Sequence, residues 1–490
     1  MVDVDVVIIG AGLSGIGAAC HLERNNPGKR YLVLESRAAM GGTWDLFRYP
    51  GIRSDSDMHT LGYAFKPWGD KKAIADGDDI LSYIRETAHQ YGVDSKVRYG
   101  QKVIAAAWDS ARAYWTLTID CVDCVDGGTT SLVCRFVYSC TGYYNYDAGH
   151  MPDFAGVEHF EGRLVHPQHW PQELDYRDRQ VVVIGSGATA ITLVPAMAKS
   201  AAKVTMLQRS PTYVVSLPAV DTSAERLRRW LPAVPAYWLT RWKNVTLQAI
   251  TFHFSRRYPE LVKRLLRKWV GLQLGDKFDL DRHFSPRYNP WDQRLCVAPN
   301  GDFFRALRRG DAAIVTDRIK GFTANGIQLE SGEHLDADIV VSATGLEMLP
   351  FGGIEFSVDG RAMPIPETLA YKGMMLSGLP NLAVAVGYTN ASWTLKCDLT
   401  SDYVCRLLNY MDRHGYSHCV AMHRDGDVAT TPFLDFSSGY ITRAIDRFPR
   451  QGVRSPWKLR QNYLLDLLGL RFASLKDSAI EFHRAPSSDG

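Results

Sequence analysis

The sequence has no run of about 18 apolar residues, which excludes a membrane-spanning helix. Low-complexity tracts are missing too, so neither a fibrous nor a disordered chain is expected. Charge of either sign is barely in excess: 56 Lys and Arg against 53 Asp and Glu leave a net +3, too little to argue for a nucleic-acid partner. A strand pattern begins at Val4 and leaves no stretch that reads as a secretory signal, and the nine cysteines are an odd number. Both point to free thiols in a reducing compartment, and a cytoplasmic location is expected. Metal-ligand spacing is lacking as well. Cys121-x-x-Cys124 has no second such pair and no His pair to complete a site, and Asp123, Asp126, Gly127 and Gly128 beside it read as a hairpin turn, so no metal is expected. What the chain does have is bulk. Its 490 residues, 46% of them hydrophobic, allow a large core and, at roughly 150 residues per domain, about three units.

Glycines carry the first positive signal. Val4 to Ile9 is an apolar run broken only by Asp5, followed by Gly10-Ala11-Gly12-Leu13-Ser14-Gly15 and a helix-like segment through Leu22. Glycines at this spacing let the chain turn sharply and let its backbone approach a pyrophosphate at the positive end of the helix dipole. The next strand, Tyr31 to Leu34, runs into Glu35, about 20 residues past the last glycine, where a carboxylate accepts hydrogen bonds from a ribose. The pattern returns at Val181 to Ile184 with Gly185-Ser186-Gly187-Ala188-Thr189-Ala190-Ile191, a helix through about Lys199 and a strand from Lys203 to Leu207. This strand ends in Gln208-Arg209-Ser210 instead of an acid, which removes repulsion toward a 2′-phosphate and supplies a guanidinium for it, selecting NADP over NAD. A later apolar strand after each fingerprint ends in Thr-Gly, at Thr141-Gly142 and Thr344-Gly345, as a duplicated architecture requires. A plain Gly-rich turn in an ordinary α/β fold is the alternative at either site.

Residues 41 to 55 fit neither a regular helix nor a central strand, because Pro50 lacks a donor and the glycines are flexible. Yet the stretch carries Trp44, Arg48, Tyr49, Arg53 and Asp55. Gly41-Gly42-x-Trp44, then Tyr49-Pro50-Gly51 and Asp55, resembles at every specified position the fingerprint of the Baeyer–Villiger monooxygenases, class B flavoprotein monooxygenases. A second segment, with Phe160, Gly162, His166 and Trp170-Pro171, resembles that family's linker motif. Related flavin N- and S-oxygenases usually close it with Tyr or Phe. Pro167 stands where Thr is common and leaves the linker's hydrogen bonding open. The resemblance extends over nearly the whole chain, through NPWDQRLC and GYTNASWTLK.

That resemblance implies FAD at the first glycine site, NADPH at the second, dioxygen, and a small-molecule ketone or thioether as substrate. Ketone attack needs a flavin peroxide that remains an anion, and a guanidinium is a suitable stabiliser because it stays charged and donates two parallel hydrogen bonds. At about 4 Å and an effective dielectric near 20, one such charge supplies on the order of 4 kcal/mol, roughly three pKa units. Arg294 stands at the position of the family's catalytic arginine, and Asp55 matches the carboxylate that pairs with it. Asp55 reads equally as a helix N-cap, since Ser54-Asp55-Ser56-Asp57 is rich in capping types. The resemblance places Thr43, Trp44, Asp45 and Leu46 against the flavin, although Trp44 also suits a plain core. It adds Gly10, Gly12, Ser14, Gly15, Glu35 and the backbone near Val103 for FAD. For NADP it adds Gly185, Ser186, Gly187, Ala188, Thr189, Ala190, Ile191, Arg209 and Ser210, with Arg53 and Ser54 close to the nicotinamide. His166 is assigned to the linker, not to general-base work.

Residues 224–268 hold eleven Lys or Arg against Glu225 and Glu260, a local +9, together with Trp230, Trp238 and Trp242. A helical insertion that caps the site and turns its basic face to solvent is favoured, broken into short pieces by Pro232, Pro235 and Pro259. Peripheral contact with the cell membrane through this segment is the alternative. The expected fold is α/β, with two Rossmann-type dinucleotide-binding domains: FAD domain 1–145 and 346–490, NADP domain 146–215 and 291–345, helical insertion 216–290. The expected activity is Baeyer–Villiger oxygenation of ketones to esters or lactones, with S-oxidation of thioethers or thioamides beside it. Rivals are a flavin N- or S-oxygenase without ketone activity, an NADPH oxidase or disulfide reductase, and a membrane-associated flavoprotein acting mainly as an interaction partner.

Overall fold

The computed structural model describes residues 2–121, 128–424, 429–434 and 438–484, so Cys124 and the acidic residues beside it lie outside the described residues. Two parallel five-stranded arrays repeat one strand order. In the first, Val97–Arg98, Tyr31–Leu34, Val4–Ile9, the end of Thr129–Ser139 and Leu382–Val384 lie side by side. In the second the order is Ala312–Thr316, Lys203–Gln208, Gln180–Ile184, Ile339–Ser342 and Arg163–Val165. Each glycine fingerprint therefore leaves a central strand, with the strand leading to Glu35 or Gln208 on one side and the Thr-Gly strand on the other. An antiparallel run, Gln101–Asp109, Tyr114–Cys121 and Thr129–Ser139, widens the first sheet. The fifth strand of the first array comes from the C-terminal part of the chain, and helix Trp393–His414 from the same part packs on helix Leu13–Asn25.

Both faces of both arrays are covered, which is why their strands read as continuous apolar runs. Val6 and Ile8 enter one hydrophobic cluster while Val7 and Ile9 enter another. Val181 and Val183 likewise part from Val182 and Ile184. This is the period-two alternation of a strand with two buried sides, and each such side chain contributes roughly 1.5–3 kcal/mol by leaving water.

The chain crosses from one array to the other twice, and the crossings pair with each other. Tyr144–Gly149 runs antiparallel to Leu346–Met348. His166 sits on this ribbon. Its Nδ1 accepts from Gln168 N–H at 3.2 Å, which leaves Nε2 to donate to Gly345 O at 3.1 Å, and burial lowers its pKa below that of an ordinary histidine. A Cβ on Gly149 would sit 2.0 Å from the imidazole. Pro167 costs nothing here because it opens the 3-10 turn Pro167–His169, where a backbone N–H has no partner to lose.

The insertion leaves after strand Val214–Leu217 and returns in the parallel strand Cys296–Pro299. Its helices are Thr222–Trp230, Ala233–Arg257, Pro259–Leu274 and Leu280–Phe284. The expectation of short pieces fails at Pro235, which falls in the first turn of a 25-residue helix, where proline removes no intrahelical bond. Among the described residues no helix is long and apolar enough to cross a membrane.

The two turns predict a contrast. Gly185 has φ +129° and an added Cβ would lie 2.3 Å from Ala343 O, whereas Gly187 has no atom within 4 Å of such a Cβ. Gly185→Ala should cost roughly 2–3 kcal/mol from positive-φ strain and displaced backbone, and Gly187→Ala much less, as read from urea unfolding followed by circular dichroism.

Candidate active site

A cavity of about 1870 Å³ separates the two arrays and is walled by both glycine fingerprints. It is roughly twice the upper volume usual for a pocket holding one drug-sized ligand, ~1000 Å³. The walls fit two dinucleotides. Helix Leu13–Asn25 follows Gly12 and helix Ala188–Met197 follows Gly187, and neither has a side-chain cap or an acid in its first turn, so their free N–H groups and positive dipole ends are available to phosphate. The close packing that shapes each turn is the same: a Cβ on Gly10 would lie 2.7 Å from Cys140 O, just as one on Gly185 would meet Ala343. Each Thr-Gly strand exit thus runs against the first glycine of its fingerprint.

Glu35 is buried at the cavity edge, with Oε2 accepting from Ala11 N–H at 2.7 Å and Oε1 from Arg37 N–H at 2.9 Å. Its carboxylate is thereby fixed at the end of its strand, beside the glycine turn. Val103 also lines the cavity, at an irregularity in its strand pairing. Ser14 Oγ accepts from Trp393 Nε1 at 2.8 Å. Thr43, Trp44 and Leu46 belong to the single-turn helix Thr43–Leu46 that starts from Gly42 at φ +57°, and all three line the cavity. Arg209 and Ser210 line the other end with Ser186, whose Oγ donates to Ser210 O at 3.0 Å.

Four expected cofactor contacts stand apart from the cavity wall. Gly15 packs behind the turn, where an added Cβ would strike Gly10 O at 1.8 Å. Ala190 and Ile191 are fully buried in the core under the second array. Asp45 is surrounded by Arg37, Arg48 and Arg85 at 2.8, 2.9 and 3.2 Å, so three guanidiniums take up its carboxylate. Phe160, Gly162 and Trp170 are also outside it. Gly162 makes room for the Phe160 ring, which packs edge-on against Phe322, and Trp170 meets Tyr176.

Asp55 and Arg294, 239 residues apart, meet inside the cavity with Arg294 Nη1 donating to Asp55 Oδ2 at 2.9 Å. Capping is done by Asp57, which accepts from Thr60 N–H at the start of helix Met58–Leu61. The Asp55 carboxylate drives the Arg294 pKa well above the ordinary arginine value, against burial, which opposes it. The side chains are still 38% and 33% accessible, because they face the cavity and not protein. Tyr143, Tyr144 and Tyr440 surround the guanidinium, and burial raises the pKa of each, so all three are neutral phenols able to donate.

The loop bearing Arg294 is held from outside. Asp292 accepts from Asn289 N–H at 3.0 Å and pairs with Arg256 at 2.6 Å, while Trp291, at φ +72°, packs edge-on against Phe252. The loop bearing Asp55 docks on the second array: Phe47 and Tyr49 enter its core, and Gly51 lies against Thr192 and Ala196. Tyr49 is hydrogen-bonded to Thr189, and burial pushes its phenol up to about 12. Arg53 Nη1 meets Asp302 at 2.5 Å, and buried Ser54 accepts from Ala75 N–H at 3.2 Å, so both line the cavity with their side chains already engaged.

Sequence reasoning missed Tyr143, Tyr144, Trp393, Tyr440 and Asp302. The first two directly follow the Thr141-Gly142 exit, and Trp393 lies in the segment GYTNASWTLK, so position marked them. Nothing in the sequence singles out Tyr440 or Asp302.

The family model described as flavin-binding monooxygenase-like matches residues 4–223. The chain is 53% identical over 487 residues to the FAD-containing monooxygenase EthA of Mycobacterium tuberculosis, covering 99% of each chain. It is 49% identical to the probable FAD-binding monooxygenase AlmA of an Acinetobacter species, covering 98% of this chain and 96% of the other. Among solved structures, an oxidized steroid monooxygenase bound to NADP aligns with a TM-score of 0.75 at 20% identity over 98% and 99% of the two chains. A complex of OTEMO with FAD and NADP aligns at 0.71 and 22% identity over 86% and 87%. The paired Arg294 and Asp55 between two dinucleotide folds, together with this identity over the full length, assign the chain to the FAD-containing flavin monooxygenases of the EthA type, and it belongs to that family as an oxidoreductase.

Proposed function

We propose that the protein inserts oxygen beside a ketone carbonyl, giving esters or lactones, and oxidises the sulfur of thioethers or thioamides as a further activity. The observation that carries this reading is the Arg294–Asp55 pair inside the cavity shared by the two glycine turns. Bound FAD, reduced by NADPH, supplies the electrons that activate dioxygen. Gly10, Gly12, Ser14, Glu35, Thr43, Trp44, Leu46 and Val103 would hold the flavin nucleotide, and Gly185, Ser186, Gly187, Ala188 and Thr189 the nicotinamide nucleotide. Arg209 and Ser210 would meet its 2′-phosphate, with Arg53 and Ser54 nearer the nicotinamide. The paired strands Tyr144–Gly149 and Leu346–Met348 support dividing the chain into an FAD domain, 1–145 and 346–490, and an NADP domain, 146–215 and 291–345, with 216–290 inserted.

Arg294 keeps its charge at any working pH and directs it at oxygen in the cavity. Negative charge develops on the ketone oxygen under attack, and a guanidinium already oriented by Asp55 meets it without reorganisation. The neutral Tyr143, Tyr144 and Tyr440 offer further donors beside it, and their rings restrict water. Substrate and dioxygen are small, and the location proposed is cytoplasmic, with peripheral contact at the membrane through 224–268.

Product analysis with purified FAD-loaded protein on one ketone and one thioether tests the reading; sulfoxide without any ester would sink it. Arg294→Ala should lower ester formation about 100-fold or more with FAD still bound. Arg209→Ala should raise the KM for NADPH about tenfold to a hundredfold, the range of one charge-assisted contact, and leave the KM for NADH nearly unchanged in steady-state assays.

A further inference from the structure

The long insertion helix is turned inside out. Its inward face is polar: Arg241, 2% exposed, donates through Nη1 to the carbonyls of His59 and Gly62, and Asn244 and Gln248 donate to the Asp57 carboxylate at 2.9 Å each. These bonds fix the helix rotation. Its outward face carries Trp238, Leu239, Trp242, Leu247, Ile250 and Phe254, of which Leu247 and Ile250 are 57% and 60% exposed. The expected exposure of basic residues holds for Arg226, Arg229, Arg256, Arg257, Arg264, Arg267 and Lys268, while Arg241 is buried; the exposed apolar face beside them was not expected.

The neighbouring helix Pro259–Leu274 buries Val262, Val270 and Leu274 and exposes apolar side chains as well. Leu261, Leu265, Trp269 and Leu272 recur at helical spacing along one exposed side, Trp269 at 59% and Leu272 at 73%. Leu464, Leu465, Leu468 and Phe472 extend the exposed apolar surface, since Tyr463 packs against Trp242 and Asn462 lies 3.4 Å from His253. Cations border it: Arg226, Arg229, Arg257, Arg264 and Lys268 have no carboxylate partner among the described residues.

We propose that this face docks on an anionic lipid bilayer, with tryptophans at the headgroup level, leucines in the outer acyl region, and the five cations on lipid phosphates. Charge complementarity selects this occupant. A two-fold contact between copies of the chain would set the patch on itself, bringing these five cations, without carboxylate partners among the described residues, against the same five of the other copy. The proposal gives partner chemistry to the membrane contact named above and does not depend on the oxygenation reaction, so a failure of one leaves the other standing.

Flotation of the full-length, FAD-loaded protein with vesicles tests it. Vesicles of phosphatidylcholine and phosphatidylglycerol in equal parts should carry the protein, phosphatidylcholine alone should not, and high salt should release it. Trp269→Ser with Leu272→Ser, and separately Arg264→Glu with Lys268→Glu, should each weaken partition about tenfold or more while NADPH oxidation and melting temperature stay unchanged. Absence of flotation with the anionic vesicles overturns the proposal. So does equal flotation with phosphatidylcholine alone, flotation of either double variant at the wild-type level, or a solution dimer that Trp269→Ser with Leu272→Ser dissociates.

Discussion

The pairing of Arg294 with Asp55 is the constraint around which the cavity is built. A partly accessible ion pair is worth little as a stabiliser, about 0–1 kcal/mol for an exposed one, so the fold does not need it for strength. What the pair fixes is direction. One guanidinium nitrogen is held at 2.9 Å, which orients the planar fork; among the described residues its remaining donors make no hydrogen bond, and they face the cavity. The buried tyrosines around it deepen the effect, because they replace mobile water by fixed dipoles without adding charge.

Holding that pair takes three separate parts of the chain. Asp55 ends a loop whose first half lines the cavity and whose middle, Phe47 and Tyr49, is anchored in the core of the second array. The Tyr-Pro-Gly turn is what permits this, since Gly51 at φ +76° passes against Ala196 with no room for a side chain. Arg294 follows a tight turn tied to the insertion through Arg256 and Phe252. The Arg53 and Asp302 contact joins the Asp55 loop to the helix that follows the returning strand. Both charges are thereby tied to the second array, which fixes the distance between them.

How much of this was legible from the amino acids follows from the range of each interaction. The glycine turns, Glu35 and the absence of an acid after Leu207 are local signals, because a strand, a turn and a helix N-terminus are specified within a few residues. The strand order is not local and was not read from the sequence; the repetition of the fingerprint implied only a duplicated architecture. Arg294 was reached only through family resemblance, because its partner is 239 residues away and its own neighbours resemble any surface turn. Asp45, Ala190 and Ile191 were placed against the cofactors by their position in a motif; their side chains lie in an ion-pair cluster and in the core. Motif position does not say on which side of a turn a side chain emerges.

The insertion shows the same limit most clearly. Composition gave a basic, aromatic segment, and the ordinary expectation is that a helix buries its aromatics and exposes its charges. Here the helix meets a surface already rich in polar groups: the Asp57 carboxylate and the carbonyls of His59 and Gly62 need donors, and Arg241, Asn244 and Gln248 supply them. A buried unpartnered carboxylate or carbonyl would cost more than an exposed tryptophan, so the polar face wins the interior and the apolar face is left outside. The same helix presents Phe252 to Trp291 and Arg256 to Asp292. The outer face of this helix therefore lies next to the turn that carries Arg294, and the polar bonds on its inner side hold both in place.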